Sequence, residues 1–542
     1  MSTVIFCSMV FMYNFIKGIP IILLQNHYNR RGGVLMDIQK IQQDILQIIQ
    51  DTRLTHRQCT FALAEYAENL CDYPEGAPMD AFRELEAKRI LCDHNDGHAP
   101  YAPRYILPDY SVFLEKGSEF LRLPPPRSLR ELLSGLLILY MNVPSVTHLP
   151  VYGGRLDHMV EPFLNGVSEE EARGQLRTFL IQIDRIIADS FFHVNLGPED
   201  TRSGRILAEE MAALENACPN MTLRYDPAVT SDEFAEICIR SALTSAHPAF
   251  AFDPYFRQNV CENYGIASCY NGLPVGGGAY SLSRMRLGPA AECAADEREL
   301  LEQVIPRAVD TACRFMEAKI RFITEETPFF SSSFLVREGF LHPERFVGMF
   351  GLVGLNECVN ILMDKAGRPG RYGSSEEADD LGRRIVQSIA SQVSAFKSRY
   401  SAYGGGRFMM HAQVGACGDN GVTPGVRIAI GSEPELYAHL RQAGTMHPYF
   451  PSGIGDIFPF ETTARENPAA VLDVIKGAFQ VGVHYLSIYG ADTDVIRVTG
   501  YLIKKSEMEQ YLRGEAVGNR AVSASEETVL CRGTYNRRVA RI

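Results

Sequence analysis

No Cys-x-x-Cys pair, no two adjacent cysteines and no stripe of basic residues occurs in this 542-residue chain. Its 13 cysteines are odd in number and scattered. Zinc and iron–sulfur sites built from four thiolates use closely paired cysteines, and disulfide frameworks crowd theirs into short secreted chains. Both are disfavoured here, and free thiols in a reducing cytoplasm are expected. Lys and Arg total 53 against 65 Asp and Glu, a net charge of −12. A duplex-DNA binder carries a basic face, so nucleic acid is a poor partner. Gly-x-Ser-x-Gly, His-Glu-x-x-His and EF-hand loops are missing too, which leaves hydrolase and metalloprotease readings without support. Tryptophan is absent, and that excludes nothing.

Long apolar runs are scarce. The stretch at 4–24 is broken by Asn14, Lys17 and Pro20, with no basic residue ahead of it and no Ala-x-Ala site. It makes a poor signal peptide and a weak anchor. Met36 opens a helical pattern with Ile38, Ile41, Ile45, Leu46, Ile48 and Ile49 on one side. Residues 1–35 are therefore expected to lie outside the fold, as an upstream start would leave them, and to be dispensable. No later segment approaches 18 uninterrupted apolar residues, so no membrane partner is expected.

What remains has ordinary globular proportions, 46% hydrophobic and 22% charged, in a chain long enough to bury a sizeable core. Residues 36–126 read as a helical N-terminal layer, closed by Pro124–Pro126. Residues 127–489 read as one catalytic body, and 490–542 as a C-terminal region. Ser168 with Glu171, and Ser374 with Glu377, form capping boxes ahead of apolar residues at helical spacing. A long helix is expected over 291–323, divided or kinked at Pro306. Strand-like runs at 222–225, 279–287, 331–336, 407–414, 426–430, 483–489 and 496–503 alternate with these helices. That alternation predicts an α/β sheet or barrel with helices outside. The triple glycines at 276–278 and 404–406 fit no phosphate loop and suit tight turns or close backbone approach. Cys92, His94 and His98 lie in one loop, which is read as a loop, and no metal is expected.

Near the C-terminus runs Asp494-Val-Ile-Arg497-Val498-Thr499-Gly500-Tyr501-Leu502. Its Arg-Val-x-Gly-Tyr string resembles the signature of glycyl radical enzymes, and the resemblance implies a radical held on the glycine. A radical on its Cα is shared with the flanking amide and carbonyl when the backbone flattens, and there is no Cβ to crowd that geometry. Val498, Leu502 and Ile503 supply apolar wrapping against water and stray donors. A buried radical needs a thiol relay. Cys269 sits in the turn-rich Gly265-Ile-Ala-Ser-Cys269-Tyr-Asn-Gly-Leu-Pro274, a hairpin-like finger near 265–287, and is preferred. Cys358, on a helical pattern after Gly351-Leu-Val-Gly-Leu-Asn-Glu357, is the alternative. Cys417, in a turn, is the third.

The resemblance to glycyl radical enzymes extends beyond this one string. The finger, the triple glycine and Gly-Leu-x-Gly-Leu-x-Glu are similar to the anaerobic ribonucleotide reductases. Gly97-His98-Ala-Pro-Tyr-Ala-Pro-Arg-Tyr, Val143-Pro-Ser-Val-Thr, Ser268-Cys-Tyr-Asn-Gly-Leu-Pro and His411-Ala-Gln resemble the YjjI-type glycine radical enzymes. The resemblance spans residues 97 to 503. It implies a ten-stranded α/β barrel of two antiparallel five-stranded half-barrels with surrounding helices. It implies a glycyl radical at Gly500, with Arg497, Val498, Thr499 and Tyr501 as its motif, and a thiyl on Cys269. It implies a separate radical-SAM activase that holds the SAM and iron–sulfur cluster. A homodimer in the cytoplasm is expected.

Departures narrow the chemistry. The paired cysteines that hold zinc in anaerobic ribonucleotide reductases are missing, and so is a nucleotide-sensing domain. Adjacent cysteines for acyl transfer are missing as well. Thiyl-initiated hydrogen abstraction on a small polar metabolite under anaerobic conditions is expected, ending in elimination, rearrangement or C–C cleavage. Glu357, His411 or Asp456 is the expected acid/base, and Arg284 or Arg286 is available to hold an anionic substrate. A zinc-less nucleotide reductase and a silent, glycine-loop-donating relative are the alternatives.

Overall fold

Helical crossovers between parallel strands set the architecture. The computed structural model describes residues 37–92, 96–145, 147–413 and 422–541. The expected extension at 1–35, His94 and Cys417 lie outside the described residues. The chain divides after Asp51 into two units, Met1–Asp51 and Thr52–Ile542. In the first, the helix expected from Met36 runs over Ile38–Gln50, because the Asp37 carboxylate caps it by accepting from the amides of Gln39 and Lys40.

Among the described residues, the second unit contains two larger sheets and two separate hairpins. Its strands are β1 (Leu91–Cys92), β2 (Tyr105–Leu107), β3 (Tyr152–Arg155), β4 (His193–Leu196), β5 (Asn220–Tyr225), β6 (Ala249–Phe252), β7 (Tyr264–Ala267), β8 (Asn271–Pro274), β9 (Gly277–Arg286), β10 (Phe346–Val353), β11 (Met409–Ala412), β12 (Asp456–Phe460), β13 (Tyr485–Gly490), β14 (Val495–Arg497) and β15 (Leu502–Lys504). A six-stranded sheet has the order β12-β13-β6-β5-β4-β3. Its strands β3 to β6 are mutually parallel, β13 is antiparallel to β6, and β12 is parallel to β13. Helices Glu169–Ile186, Arg202–Leu214 and Asp232–Ser245 make the crossovers from β3 to β6. A five-stranded sheet centres on β9, which pairs antiparallel with β1 and β2 and parallel with β10; β11 lies parallel to β10. Residues read as a helical N-terminal layer thus also supply two strands. The sheet explains the glycines at 276–278: a Cβ on Gly278, at φ +143, would overlap the Tyr105 carbonyl of β2.

Both faces of β4 and β5 are buried. Val194, Leu196, Met221, Leu223 and Tyr225 enter the main apolar core. The alternate residues His193, Asn195, Asn220, Thr222 and Arg224 are buried too, and period-2 geometry puts them on the opposite face. There they meet hairpin β7–β8 and hairpin β14–β15, which share a smaller apolar cluster with Tyr485 and Phe256.

Several expected elements differ. Residues 331–336 form parts of two short helices, Phe329–Ser332 and Phe334–Arg337, because Pro328 starts a helical turn that a short apolar run cannot distinguish from a strand. Residues 426–430 are irregular; the segment before them is tied to the start of the earlier helix Leu355–Lys365, with Gly354 and Leu355 amides donating to Thr423 and Gly425 carbonyls. The run 496–503 is a hairpin, not one strand. Helix 291–323 breaks after Cys293 and resumes at Glu297; it then runs through Pro306 without a break, because the turn ahead of it, Leu300–Val304, widens to π geometry where the proline cannot donate. Ser374 is not a cap: the last long helix starts at Glu376, with Asp379 accepting from the Gly373 amide. Among the described residues no helix is long and apolar enough to cross a membrane.

Candidate active site: a glycine turn against a cysteine finger

Antiparallel pairing of β7 with β8 makes residues 268–270 the tip of a finger. The finger is held by the inward face of the six-stranded sheet. Asn195 exchanges two hydrogen bonds with Ile266, at 2.9 and 2.8 Å. Ser268 O receives His193 Nδ1 at 3.1 Å, so that nitrogen carries the proton. The Ser268 amide donates to Val151 O, and Tyr270 Oη donates to Ala412 O at 2.6 Å. Arg224 Nη1 donates to Tyr264 O at 3.3 Å while its Nε pairs with the buried Asp253 carboxylate at 2.8 Å.

Facing the finger is hairpin β14–β15. The Val498 amide donates to Tyr501 O, which leaves Thr499 and Gly500 at its tip. Gly500 is buried. A Cβ added to it would overlap Cys269 Cβ and come within 2.9 Å of Cys269 Cα and 3.0 Å of Tyr270 Cδ1. Only glycine fits at this approach. The Cα of residue 500 therefore lies directly against Cys269.

Around the tip, donors are gathered on carbonyls. Gly500 O receives Asn220 Nδ2 at 2.9 Å and Arg497 Nη1 at 3.4 Å. Arg497 is fully buried; its other donors go to Ala246 O at 2.8 Å and Asn220 Oδ1 at 3.0 Å. These partners are neutral, and burial lowers its pKa. Arg537 caps the Arg497 and Val498 carbonyls. Val498, Leu502 and Ile503 are wholly buried. Tyr501 packs its ring 4.6 Å from Phe191, and Thr499 is buried with its Oγ1 lacking a hydrogen-bond partner.

Burial pushes the Cys269 thiol up to about 12, against smaller opposing effects of Ser268 and of Arg427, Arg104 and Arg497. The sulfur thus keeps its hydrogen. Cys358 is also buried and raised, on helix Leu355–Lys365 within the main apolar core. It is Cys269 that the structure brings against Gly500. Glu357, on that helix, accepts from the Thr423 amide at 3.1 Å and from its hydroxyl, and its Oε2 is buried without a partner. His411, on β11, lies 5.7 Å from the Tyr270 ring; burial holds it neutral, with a pKa of about 3. Arg284 is buried, and its Nε donates to Cys92 Sγ at 2.9 Å across the β1–β9 pair. Asp456 is withdrawn as a proton carrier: His447 at 3.1 Å and His439 at 3.6 Å hold its carboxylate well below the usual range. Sequence reasoning missed His193, Asn195, Asn220 and Arg537. The polar-apolar alternation of His-Val-Asn-Leu and Asn-Met-Thr-Leu-Arg-Tyr puts the first three on one face of their strands, but does not say that this face is buried.

Known proteins share the sequence and the fold. A family model described as "Glycyl radical enzyme YjjI-like" matches residues 54–540. An uncharacterized protein of Haemophilus influenzae is 42% identical over 506 residues, covering 92% of this chain and 97% of its own length. The uncharacterized protein YjjI of Escherichia coli K12 is 37% identical over 472 residues, covering 87% and 91%. Among solved structures, the anaerobic ribonucleotide reductase of Thermotoga maritima in complex with dATP and CTP superposes with a TM-score of 0.64 at 12% identity, over 93% of this chain and 94% of that one. The B12-independent glycerol dehydratase of Clostridium butyricum gives 0.58 at 12% identity, over 77% and 68%. These structures share the mixed α/β fold, and the sequence match goes further: the chain belongs to the YjjI-like family of glycyl radical enzymes.

Proposed function

We propose that this glycyl radical enzyme stores its radical at Gly500, moves hydrogen through Cys269, and acts on a small polar metabolite under anaerobic conditions by elimination, rearrangement or C–C cleavage. One observation carries the reading: the Cα of Gly500 abuts Cys269 so closely that no side chain fits between them. A radical at Gly500, generated by a separate radical-SAM activase, supplies a vacancy for one hydrogen atom. Cys269 Sγ gives up its hydrogen and takes one from a substrate carbon, later returning it. Proton and electron travel together in each transfer, so no charge is created in the buried site. A thiol raised to about 12 suits this better than nucleophilic chemistry, which needs the thiolate.

Supporting residues follow from their surroundings. Arg427 Nη2 is buried without a partner, with the guanidinium 5.7 Å from the Tyr270 ring, so an anionic substrate group would find it before Arg284. Glu357, with one free carboxylate oxygen, is the proposed proton carrier. His411, with a pKa of about 3, is a weak base and serves better as a hydrogen-bond partner. Two contacts support closure of the sheets into the ten-stranded barrel: Ala412 N donates to Gly453 O, and Ser452 Oγ to Met410 O at 2.7 Å, joining β11 to the segment that enters β12.

The test is activation under argon with the cognate activase, read by electron paramagnetic resonance. A doublet from the single remaining α-hydrogen of Gly500 is expected, and brief oxygen exposure should cut the backbone there. Cys269→Ser should keep the doublet and lose all turnover. A protein that never shows the doublet would instead be a silent relative; loss of turnover in Cys358→Ser but not in Cys269→Ser would move the relay to Cys358. Nucleotide binding without activation would favour the reductase alternative.

A further inference from the structure

The geometry points to Asn220 as the positioning residue that locks the glycine turn to the cysteine finger and so sets the path of hydrogen between them; the inference rests on the roles of Gly500 and Cys269 given above. Asn220 opens β5 and is wholly buried. Its Nδ2 donates to Gly500 O at 2.9 Å and to Ser268 O at 3.4 Å, and its Oδ1 accepts from Arg497 Nη2 at 3.0 Å. A guanidinium only donates and a carbonyl only accepts, so the orientation of this amide is fixed. Both amide hydrogens and the oxygen are used. Asp has no hydrogen for either carbonyl, Leu has no polar atom, and Gln is a methylene too long.

The two carbonyls it joins matter chemically. Ser268 immediately precedes Cys269, and its φ of +58 sets the finger tip in the left-handed region. The other carbonyl belongs to Gly500 itself. These loops are distant in sequence, and Asn220 reaches both at once. Hydrogen transfer falls off steeply with separation; a misplacement of about 1 Å costs on the order of a hundredfold. The same bond also acts on electron distribution. A Cα-centred radical shares spin with its carbonyl oxygen, and a donor at that oxygen favours the planar, delocalised form. His193 also holds Ser268 O, at 3.1 Å. The finger therefore has a second support, whereas the link from finger to glycine turn runs through Asn220.

Asn220→Asp keeps the size and the acceptor for Arg497 but loses both donors; Asn220→Ser keeps a single hydroxyl donor. In heavy water the Cys269 hydrogen exchanges with solvent and passes on to Gly500, so the wild-type doublet should collapse as the α-hydrogen becomes deuterium. In Asn220→Asp the doublet should form yet collapse at least tenfold more slowly, with Asn220→Ser in between. A second readout needs no radical: amide exchange by mass spectrometry over 497–503 should quicken at least tenfold in both variants, with β4 unchanged. Collapse and amide protection at wild-type rates in Asn220→Asp would overturn the role of Asn220 alone. A wild-type protein with no doublet, or with one that persists in heavy water, would overturn the Gly500–Cys269 relay and this inference with it.

Discussion

His193 shows how much the site depends on keeping groups uncharged. It is wholly buried between Ser268 O and Thr222 Oγ1, and burial lowers its pKa to about 3. An unfolded histidine titrates near 6.5. Between those values the unfolded chain binds a proton that the folded chain refuses. Stability from this group is therefore complete above pH 6.5 and is lost as pH falls toward 3. At pH 5 the loss is about 2 kcal/mol. Gln at this position carries no such linkage. The stability gap between wild type and His193→Gln, measured by urea unfolding, should narrow by about 2 kcal/mol from pH 7 to pH 5. A constant gap would mean that the folded imidazole takes up its proton as readily as the unfolded one. Cys269 follows the same logic with the opposite sign of charge: burial suppresses its thiolate, and at pH 8 roughly one molecule in ten thousand is ionised.

Two hairpins meeting tip to tip set the chemistry at the scale of elements, and their contact is tight enough to be measured as a coupling. Gly500→Ala drives a methyl into Cys269 Cβ. Overpacking of this kind costs about 1–3 kcal/mol. Cys269→Gly removes the obstructing atom, so the double variant should recover part of that loss. A double-mutant cycle on unfolding free energies should show a coupling of at least about 1 kcal/mol; additive effects would place the tips apart. The finger was legible in sequence, because Gly265, Gly272 and Pro274 around Cys269 mark a turn between short apolar runs. The glycine turn was legible as a motif but not as a hairpin, since 496–503 reads as one apolar run. What supports the tips was hidden for a physical reason. In a strand buried on both faces, a polar residue looks like a solvent-facing one, and nothing local says that Asn195 and Asn220 point at another loop. Arg284 shows the converse: a buried cation near a finger reads as a substrate ligand, and only the β1–β9 register reveals Cys92 as its partner.

Across the whole second unit, its first residues hold its last segment. Helix His56–Glu68 presents Gln58, whose Nε2 donates to Val517 O at 3.2 Å and Gly518 O at 3.4 Å. Thr52 Oγ1 donates to Gly514 O at 3.1 Å, Arg53 pairs with Glu526, and Arg520 reaches both Glu65 and the Thr147 carbonyl. The segment so held leads into Asn519, which donates to Leu502 O at 3.3 Å, and into helix Ala521–Arg532, whose Ser525 meets Tyr501 Oη at 3.3 Å. It is the outer cover of the glycine hairpin. The exposed ion pairs contribute little each, whereas Gln58 is buried and its two bonds are worth about 1 kcal/mol apiece. Gln58→Leu should therefore raise the frequency with which this cover opens by roughly tenfold or more, since 1.4 kcal/mol is a factor of ten. Arg513 is exposed just ahead of the held segment, so limited trypsin digestion should cut there about tenfold faster in Gln58→Leu, with urea midpoints for the body nearly unchanged. An unaltered cleavage rate would show that the cover is held by its own packing on the hairpin and not by the N-terminal helix.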